Sequence, residues 1–162
     1  MVPESAWVEF DALVEAMPWG RSIYTILRAD ERLAVAAKVA GTRRVEGTIE
    51  EVSVNVGLNR ADVLPESFIY AGKSLQRRVG IRPGDVVRCR LRPADPDEVP
   101  IPEDVRRALA DAGRLGTFEQ RTSSERRRLL QPVDDAATPA TRQRRTAALV
   151  DALPPERPPI SG

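Results

Sequence analysis

The sequence predicts an α+β protein. A small β-barrel of five or six short strands, with short helices between them, precedes a C-terminal helical appendage of three or four helices. Three observations favour this fold. The first ninety or so residues alternate between apolar and polar, with turn signals between the alternating runs. Residues 93–101 are rich in proline and acid, which is typical of a semi-rigid linker. Beyond that linker, apolar residues recur at helical spacing.

The alternating runs supply the strands. The run at 7–17 predicts the first strand, and Pro18-Trp19-Gly20 is expected to form the turn after it. Further strands are predicted, in chain order, at 22–28, 44–50, 52–58, 68–70 and 86–92. A barrel closed by these strands leaves no free sheet edge, so closure is the expected arrangement.

Helix signals lie between the strands and dominate the last third. Asp30 is a suitable N-cap and Gly41 a suitable stop for a helix at 30–39, and a helical turn or two is predicted at 72–79. Later helices are expected to begin at Pro102, at the capping box that starts with Thr122, and at Thr138-Pro139. The predicted regions are a barrel at 1–92, a linker at 93–101, helices at 102–153 and a disordered proline-rich tail at 154–162.

Composition excludes several chemistries. The 25 basic and 24 acidic residues nearly cancel, so no overall field attracts the chain to nucleic acid or membrane. With no His and one Cys, it has no imidazole base, no imidazole metal ligand and no disulfide within one chain. We therefore expect no metal site built from His or Cys ligands. The sequence shows neither a signal peptide nor an apolar run that could span a bilayer, which favours a cytoplasmic location.

Several short motifs in the C-terminal third, in a fixed order, resemble the YdeI/OmpD-associated, or bacteriocin-protection, family. They are Pro102-Glu103-Asp104-Val105 with Ala108-Leu109, Phe118, Ser124 to Leu130, and Thr141 to Arg145. The first half resembles the small β-barrel domain of unknown function that often precedes that region, on the residues Val45 to Ile49, Gly72 to Leu75 with Gly80, and Gly84 to Val87.

The resemblance implies a β-barrel with a helical appendage. It implies no established enzyme activity and no cofactor, and its label suggests a protective or stress role. The chain has Ala137 and Ala140 where the family usually has Lys and Glu, so a binding site that used those charges would be altered here.

Thr141, Arg142 and Arg145 form the most site-like cluster of the helical region. Arg142 and Arg145 are three residues apart, so their side chains leave a helix on one face and can bracket a carboxylate or phosphate. The competing and favoured interpretation is a structural bridge that ties this helix to Asp134, Asp135 or the barrel.

Two charged patterns have similar alternatives. The Arg residues at 121 and 126–128 predict either a solvated helix face or, less favoured because stacking aromatics are scarce, a nucleic-acid surface. Glu9, Asp11 and Glu15 form an acidic stripe along the first strand, and the Arg residues at 88, 90 and 92 form a basic stripe along the last. If the two strands are neighbours, cross-strand ion pairs explain both patterns. The weaker alternative is a carboxylate pair for acid–base catalysis.

Most aromatic residues lie in the barrel half, and core packing is the expected role of Trp7, Tyr24 and Tyr70. Trp19 is the exception, because a turn exposes it and it would help line a barrel mouth. We expect a non-enzymatic protein that binds a small molecule or peptide, with Trp19 the first ligand contact and the cluster of Thr141, Arg142 and Arg145 the second. The alternative partner is RNA or DNA, bound by the Arg-rich helices.

Overall fold

The computed structural model describes residues 7–156. The chain divides into two compact units, residues 1–96 and 97–162, and each has its own apolar core. The first unit is β-rich and the second is helical. Among the described residues, no helix is long and apolar enough to cross a membrane.

The first unit is a closed antiparallel barrel. Its elements are β1 (Val8–Trp19), β2 (Ser22–Arg28), α1 (Glu31–Ala40), β3 (Arg44–Ile49), β4 (Val52–Asn59), β5 (Phe68–Tyr70), α2 (Lys73–Val79) and β6 (Val86–Ala94). Around the barrel the strands follow the order β1-β2-β5-β4-β3-β6, and β6 pairs again with β1. The predicted α+β class and the ring of strands are confirmed.

The interior of the barrel is a packed apolar core. Along β1, Val8, Phe10, Ala12 and Val14 are buried while the residues between them face outward, as the period of two predicts. Complete burial of a Leu or Ile side chain stabilises the fold by about 1.5–3 kcal/mol. The other strands contribute the completely buried Leu27, Val45, Ile49, Ile69, Cys89 and Leu91.

The first hairpin differs from the prediction. β1 continues through Pro18 and Trp19, which pair with Ile23 and Ser22 of β2, so the turn consists of Gly20 and Arg21. Gly20 has a φ of 62°, a left-handed conformation that glycine adopts without a steric cost. Trp19 is therefore the last strand residue before the turn, and not the tip of the turn.

The hairpin between β3 and β4 uses two residues that the sequence does not mark as a turn. Ile49 pairs with Val52, and Glu50 and Glu51 between them have φ values of 48° and 67°. Two-residue hairpin turns of this kind usually contain Asn or Gly. The strand predicted at 44–50 accordingly ends one residue earlier.

The helical unit contains α3 (Glu103–Asp111), α4 (Leu115–Glu119), α5 (Ser123–Asp134) and α6 (Pro139–Asp151). Thr122 and Thr138 cap α5 and α6, as predicted, since each side chain accepts a hydrogen bond from the backbone N–H three residues later at 3.2 Å. The helices enclose a core of Val105, Leu109, Phe118, Leu130, Val133, Leu149, Val150 and Leu153.

The end of the described chain is held against the start of α4. The Glu156 backbone N–H donates to the Gly113 carbonyl at 2.9 Å, and the Glu156 carboxylate accepts from the Gly116 N–H at 2.6 Å. The disordered tail was predicted to begin at Pro154, whereas these contacts make 154–156 part of the helical unit. The rest of that prediction, 157–162, lies outside the described residues.

Candidate ligand-binding face of the barrel

A row of three aromatic side chains lies on the outer face of the barrel. Trp19 of β1, Tyr24 of β2 and Tyr70 of β5 follow one another, with ring centroids 6.0 Å apart at both steps. The rings are inclined to each other by 56° at the first step and 77° at the second. Trp19 is 39% exposed and Tyr70 is 53% exposed, so the row is accessible to a ligand. We call these three residues the aromatic row.

Strand register places the row on one face. Met17 pairs with Tyr24 and Ile26 pairs with Tyr70, and paired residues project to the same side of a sheet. Trp19 lies two residues after Met17, so it shares that side. The neighbouring interior residues belong to the barrel core, which makes the side that carries the row the outer one.

A small second core supports the aromatic row from beneath. Met17, Ile26, Ala61 and Phe68 are buried together, and Tyr24 and Leu64 pack against them. The segment between β4 and β5 supplies Ala61 and Leu64, so it covers part of the outer face of the sheet. The row therefore stands on a packed base, which favours a fixed arrangement of the rings.

A depression adjoins Trp19. Its volume is about 380 Å³, it is open to solvent, and Trp19, Arg60, Ala61 and Asp62 line it. This volume is at the lower end of the range of small-molecule sites, roughly 300–1,000 Å³. Arg60 and Asp62 give the depression one cationic and one anionic residue that a ligand can contact.

The polar atoms of the aromatic row have no partner among the described residues. Neither the Trp19 indole N–H nor the hydroxyls of Tyr24 and Tyr70 make a hydrogen bond to residues 7–156. Buried tyrosine and tryptophan usually satisfy these groups within the protein. Here the groups remain available to a ligand.

The expectation of core packing was wrong for Tyr70. Its ring lies against the backbone of Gly72, where a Cβ atom would come within 3.0 Å of the ring. The glycine two residues after the short strand is the local signal that this ring needs space. Tyr24 is half-buried, and its edge completes the row.

The cluster in the helical unit makes contacts within that unit. Arg142 forms a bidentate ion pair with Asp104 at 2.7 and 2.8 Å, which joins α6 to α3. Hydrogen bonding to Arg142 lowers the pKa of the Asp104 carboxyl below its ordinary value. The Arg145 guanidinium donates to the Pro132 carbonyl at 2.8 Å, and the Thr141 hydroxyl lies within hydrogen-bond distance of Thr138 and Arg144. These contacts agree with the structural interpretation, although Asp104 is a partner that the sequence analysis did not name. A ligand contact at these residues stays a prediction.

The Arg-rich start of α5 is also engaged with its own unit. Arg126 donates to the backbone carbonyls of Arg121 and Asp97, at 3.1 and 3.0 Å, and Arg127 donates to that of Glu98 at 3.5 Å. Arg126 and Arg127, two of the cations that would contact a nucleic acid, are therefore hydrogen-bonded to the segment that precedes α3.

The charged stripes on β1 and β6 pair with each other. The two strands are neighbours, and their register places Glu9 opposite Arg90 and Asp11 opposite Arg88. Ion pairs of 3.3–3.5 Å join Arg88 to both carboxylates and Arg90 to Glu9. The predicted cross-strand pairing is confirmed for these four residues, whereas Glu15 pairs with Arg28 of β2 and Arg92 pairs with Glu46 of β3.

Trp7 lies outside the barrel core, contrary to its expected role. The guanidinium carbons of Arg90 and Arg92 lie 3.9 and 4.4 Å from the centre of its ring, within the range of cation–π contact. Gly47 permits this approach, because a Cβ atom there would meet both the Trp7 ring and the Arg90 carbonyl. Trp7 is thus held by partners within the barrel, whereas Trp19 borders an open depression.

The single cysteine lies in the barrel core. Cys89 is completely buried, and burial raises the pKa of its thiol to about 12, so the thiol stays neutral at physiological pH. In the part of the chain that the structure describes, no three His, Cys, Asp or Glu side chains are grouped so as to hold a metal ion.

Fold and site together define an α+β protein with a six-stranded barrel, an aromatic row on its outer face, and a separate helical unit. Residues 98–154, which include all of α3 to α6, match the family described as bacteriocin-protection, YdeI or OmpD-associated. The resemblance of the helical region is thereby confirmed, while that of the barrel stays a prediction. No curated protein and no solved structure matches the chain.

Proposed function

We propose that this protein is a non-enzymatic binding protein that holds a small molecule or a peptide on the outer face of its barrel. The observation that carries the proposal is the aromatic row beside the depression at Trp19. Exposed rings provide apolar contact area, and their unpartnered N–H and O–H groups provide direction. Arg60 and Asp62 add charged contacts at one end of the row.

The packed interior supports the choice of the outer face. Small barrels that carry ligands inside need a cavity between the strands. Here the interior positions hold completely buried aliphatic side chains. A ligand inside would have to displace this core, whereas the depression at Trp19 is already open.

The description of the family that residues 98–154 match includes bacteriocin protection, which supports a protective role for the protein. We place this activity in the cytoplasm, where a single unpaired Cys such as Cys89 is usual.

The alternative proposal, nucleic-acid binding by the Arg-rich helices, has less support. Arg126 and Arg127 are engaged with backbone carbonyls, and Phe118, the aromatic residue of the helical unit, is completely buried. Single-stranded nucleic acids are usually bound through exposed aromatic rings beside free cations.

Native mass spectrometry of protein purified from its own host tests the proposal. We expect wild type to retain an additional mass that Trp19→Ala loses and Trp7→Phe keeps. Trp7→Phe is the matched control because its ring still packs between two Arg side chains. A mass that Trp19→Ala retains, or a wild type that carries nothing, contradicts the proposal. A retained oligonucleotide supports the alternative.

A further inference from the structure

We infer that the aromatic row binds a proline-rich peptide segment in the polyproline II conformation. The inference rests on the proposed function and names the class of its ligand. Three properties of the row support it: its hydrogen-bonding groups, the inclination of its rings, and the charges beside Trp19.

The hydrogen-bond donors of the aromatic row suit a ligand that presents hydrogen-bond acceptors. The Trp19 indole is a donor only, and the hydroxyls of Tyr24 and Tyr70 are free to donate. A proline residue offers a backbone carbonyl and has no N–H, so a proline-rich segment presents acceptors without unpaired donors. In polyproline II the backbone makes no internal hydrogen bonds, and its carbonyls stay available.

The inclination of the rings suits proline side chains. Neighbouring ring centroids are 6.0 Å apart and the rings are tilted by 56° and 77°, so the row presents a ridged apolar surface and not a flat platform. The compact pyrrolidine rings of proline can pack against such inclined rings. Polyproline II advances about 9 Å per turn of three residues, so one to two turns of it span the row. A nucleobase instead needs a flat exposed ring face on which to stack.

The charges beside Trp19 suit a peptide that carries both signs. The side chains of Arg60 and Asp62 line the depression, and neither has an ion-pair partner among the described residues. One cation beside one anion gives little attraction for a polyphosphate backbone. It complements a peptide that carries a Glu and an Arg.

A fluorescence titration tests the inference. In a Trp7→Phe background, Trp19 is the remaining tryptophan and reports on the row directly. The probe is a synthetic peptide of proline residues around a central Glu-Arg pair. The control peptide keeps both charges and has alanine at alternate proline positions. We expect the proline peptide to change Trp19 emission saturably and to bind at least about tenfold more tightly than the control, a difference of roughly one pair of ring contacts.

Two variants of Tyr70 distinguish the contribution of its ring to peptide binding from that of its hydroxyl. Tyr70→Ala is expected to weaken binding about tenfold, and Tyr70→Phe by a smaller factor, through loss of one hydrogen bond. Val39→Ala, at an 84% exposed position on α1, is the matched control and should leave binding unchanged. Circular dichroism of each variant shows that a loss of binding is not a loss of fold.

Equal binding of both peptides, or no binding of the proline peptide, overturns the inference. If wild type nevertheless retains a host ligand that Trp19→Ala loses, the inference fails and the proposed function stands. Tighter binding of a single-stranded oligonucleotide than of the peptide at Trp19 also overturns the inference.

Discussion

Glu51 shows how one residue stores strain in a turn of the barrel. Its φ of 67° lies in the left-handed region, which costs a non-glycine residue about 1–2 kcal/mol. The residue is exposed, and Glu50 beside it has the same kind of conformation. The pairing of Ile49 with Val52 imposes this turn, so the flanking strands outweigh local preference.

We predict that Glu51→Gly stabilises the protein by about 0.5–1 kcal/mol. Relief of the left-handed strain exceeds the greater backbone entropy that glycine brings to the unfolded chain. Urea unfolding of wild type and variant measures the change in the free energy of unfolding. Glu51→Ala is the control, since it removes the charge but keeps the strain. Destabilisation by glycine would show that residue 51 is not in the left-handed region.

The aromatic residues show what could be predicted at this scale. The exposure of Trp19 was predicted correctly, although Trp19 ends β1 and is not the tip of a turn, and its role as a ligand contact stays a prediction. Tyr70 was missed because its exposure depends on the pairing of β5 with β2, which brings it beside Tyr24. Such pairing joins residues far apart in the sequence, so no local pattern reveals it.

At the scale of elements, the ion pair between Asp104 and Arg142 joins two helices that are distant in sequence. Asp104 is in the first turn of α3, where a negative charge also interacts favourably with the helix dipole. The side chains are 55% and 32% exposed, so solvent screens the pair, and its contribution to stability is about 1 kcal/mol or less.

We predict that the contribution of this pair depends on pH below about pH 5. Because the pKa of Asp104 is lower in the folded protein, the stabilisation is complete above the unfolded carboxyl pKa, about 3.9. It is lost as the pH falls through the lower folded value. Asp104→Asn should therefore reduce the free energy of unfolding by about 0.5–1 kcal/mol at neutral pH, and less as the pH drops below about 4.

Urea unfolding between pH 3 and 8 checks this prediction, with Asp111→Asn in the same helix as the control. The chain has no His, so we expect the difference from wild type to stay constant from about pH 5 to 8. A difference that instead grows as the pH falls would contradict the ion pair.

Local signals predicted the elements well where the relevant chemistry is local. Thr122 and Thr138 were identified as helix caps because a cap depends on residues within one turn. The Glu50–Glu51 turn was missed because it contains none of the residues that usually mark turns. The last residues, 154–156, were placed in a disordered tail because their composition does not reveal the bonds between Glu156 and the α4 turn.

At the scale of the whole molecule, alternating residues predicted the barrel but not the order of its strands. Closure requires β1 to pair with β6 and β3 to pair with both β4 and β6. The paired Glu and Arg stripes were the one sequence feature that favoured neighbouring β1 and β6, and this pairing is present. The packing of the interior could not be predicted either, because the side chains that fill it come from strands that are neighbours only once the ring is closed.

Amide chemical-shift mapping tests most directly whether the outer face of the barrel is the binding surface. Isotope-labelled protein is titrated with small neutral probes: isopropanol, N-methylacetamide and N-acetylprolinamide. We predict the largest shift changes in β1, β2 and β5 around the aromatic row and in residues 60–62, with a marked reduction in Trp19→Ala. Largest changes in α5 and α6, or equal changes in Trp19→Ala, would contradict a binding site on this face.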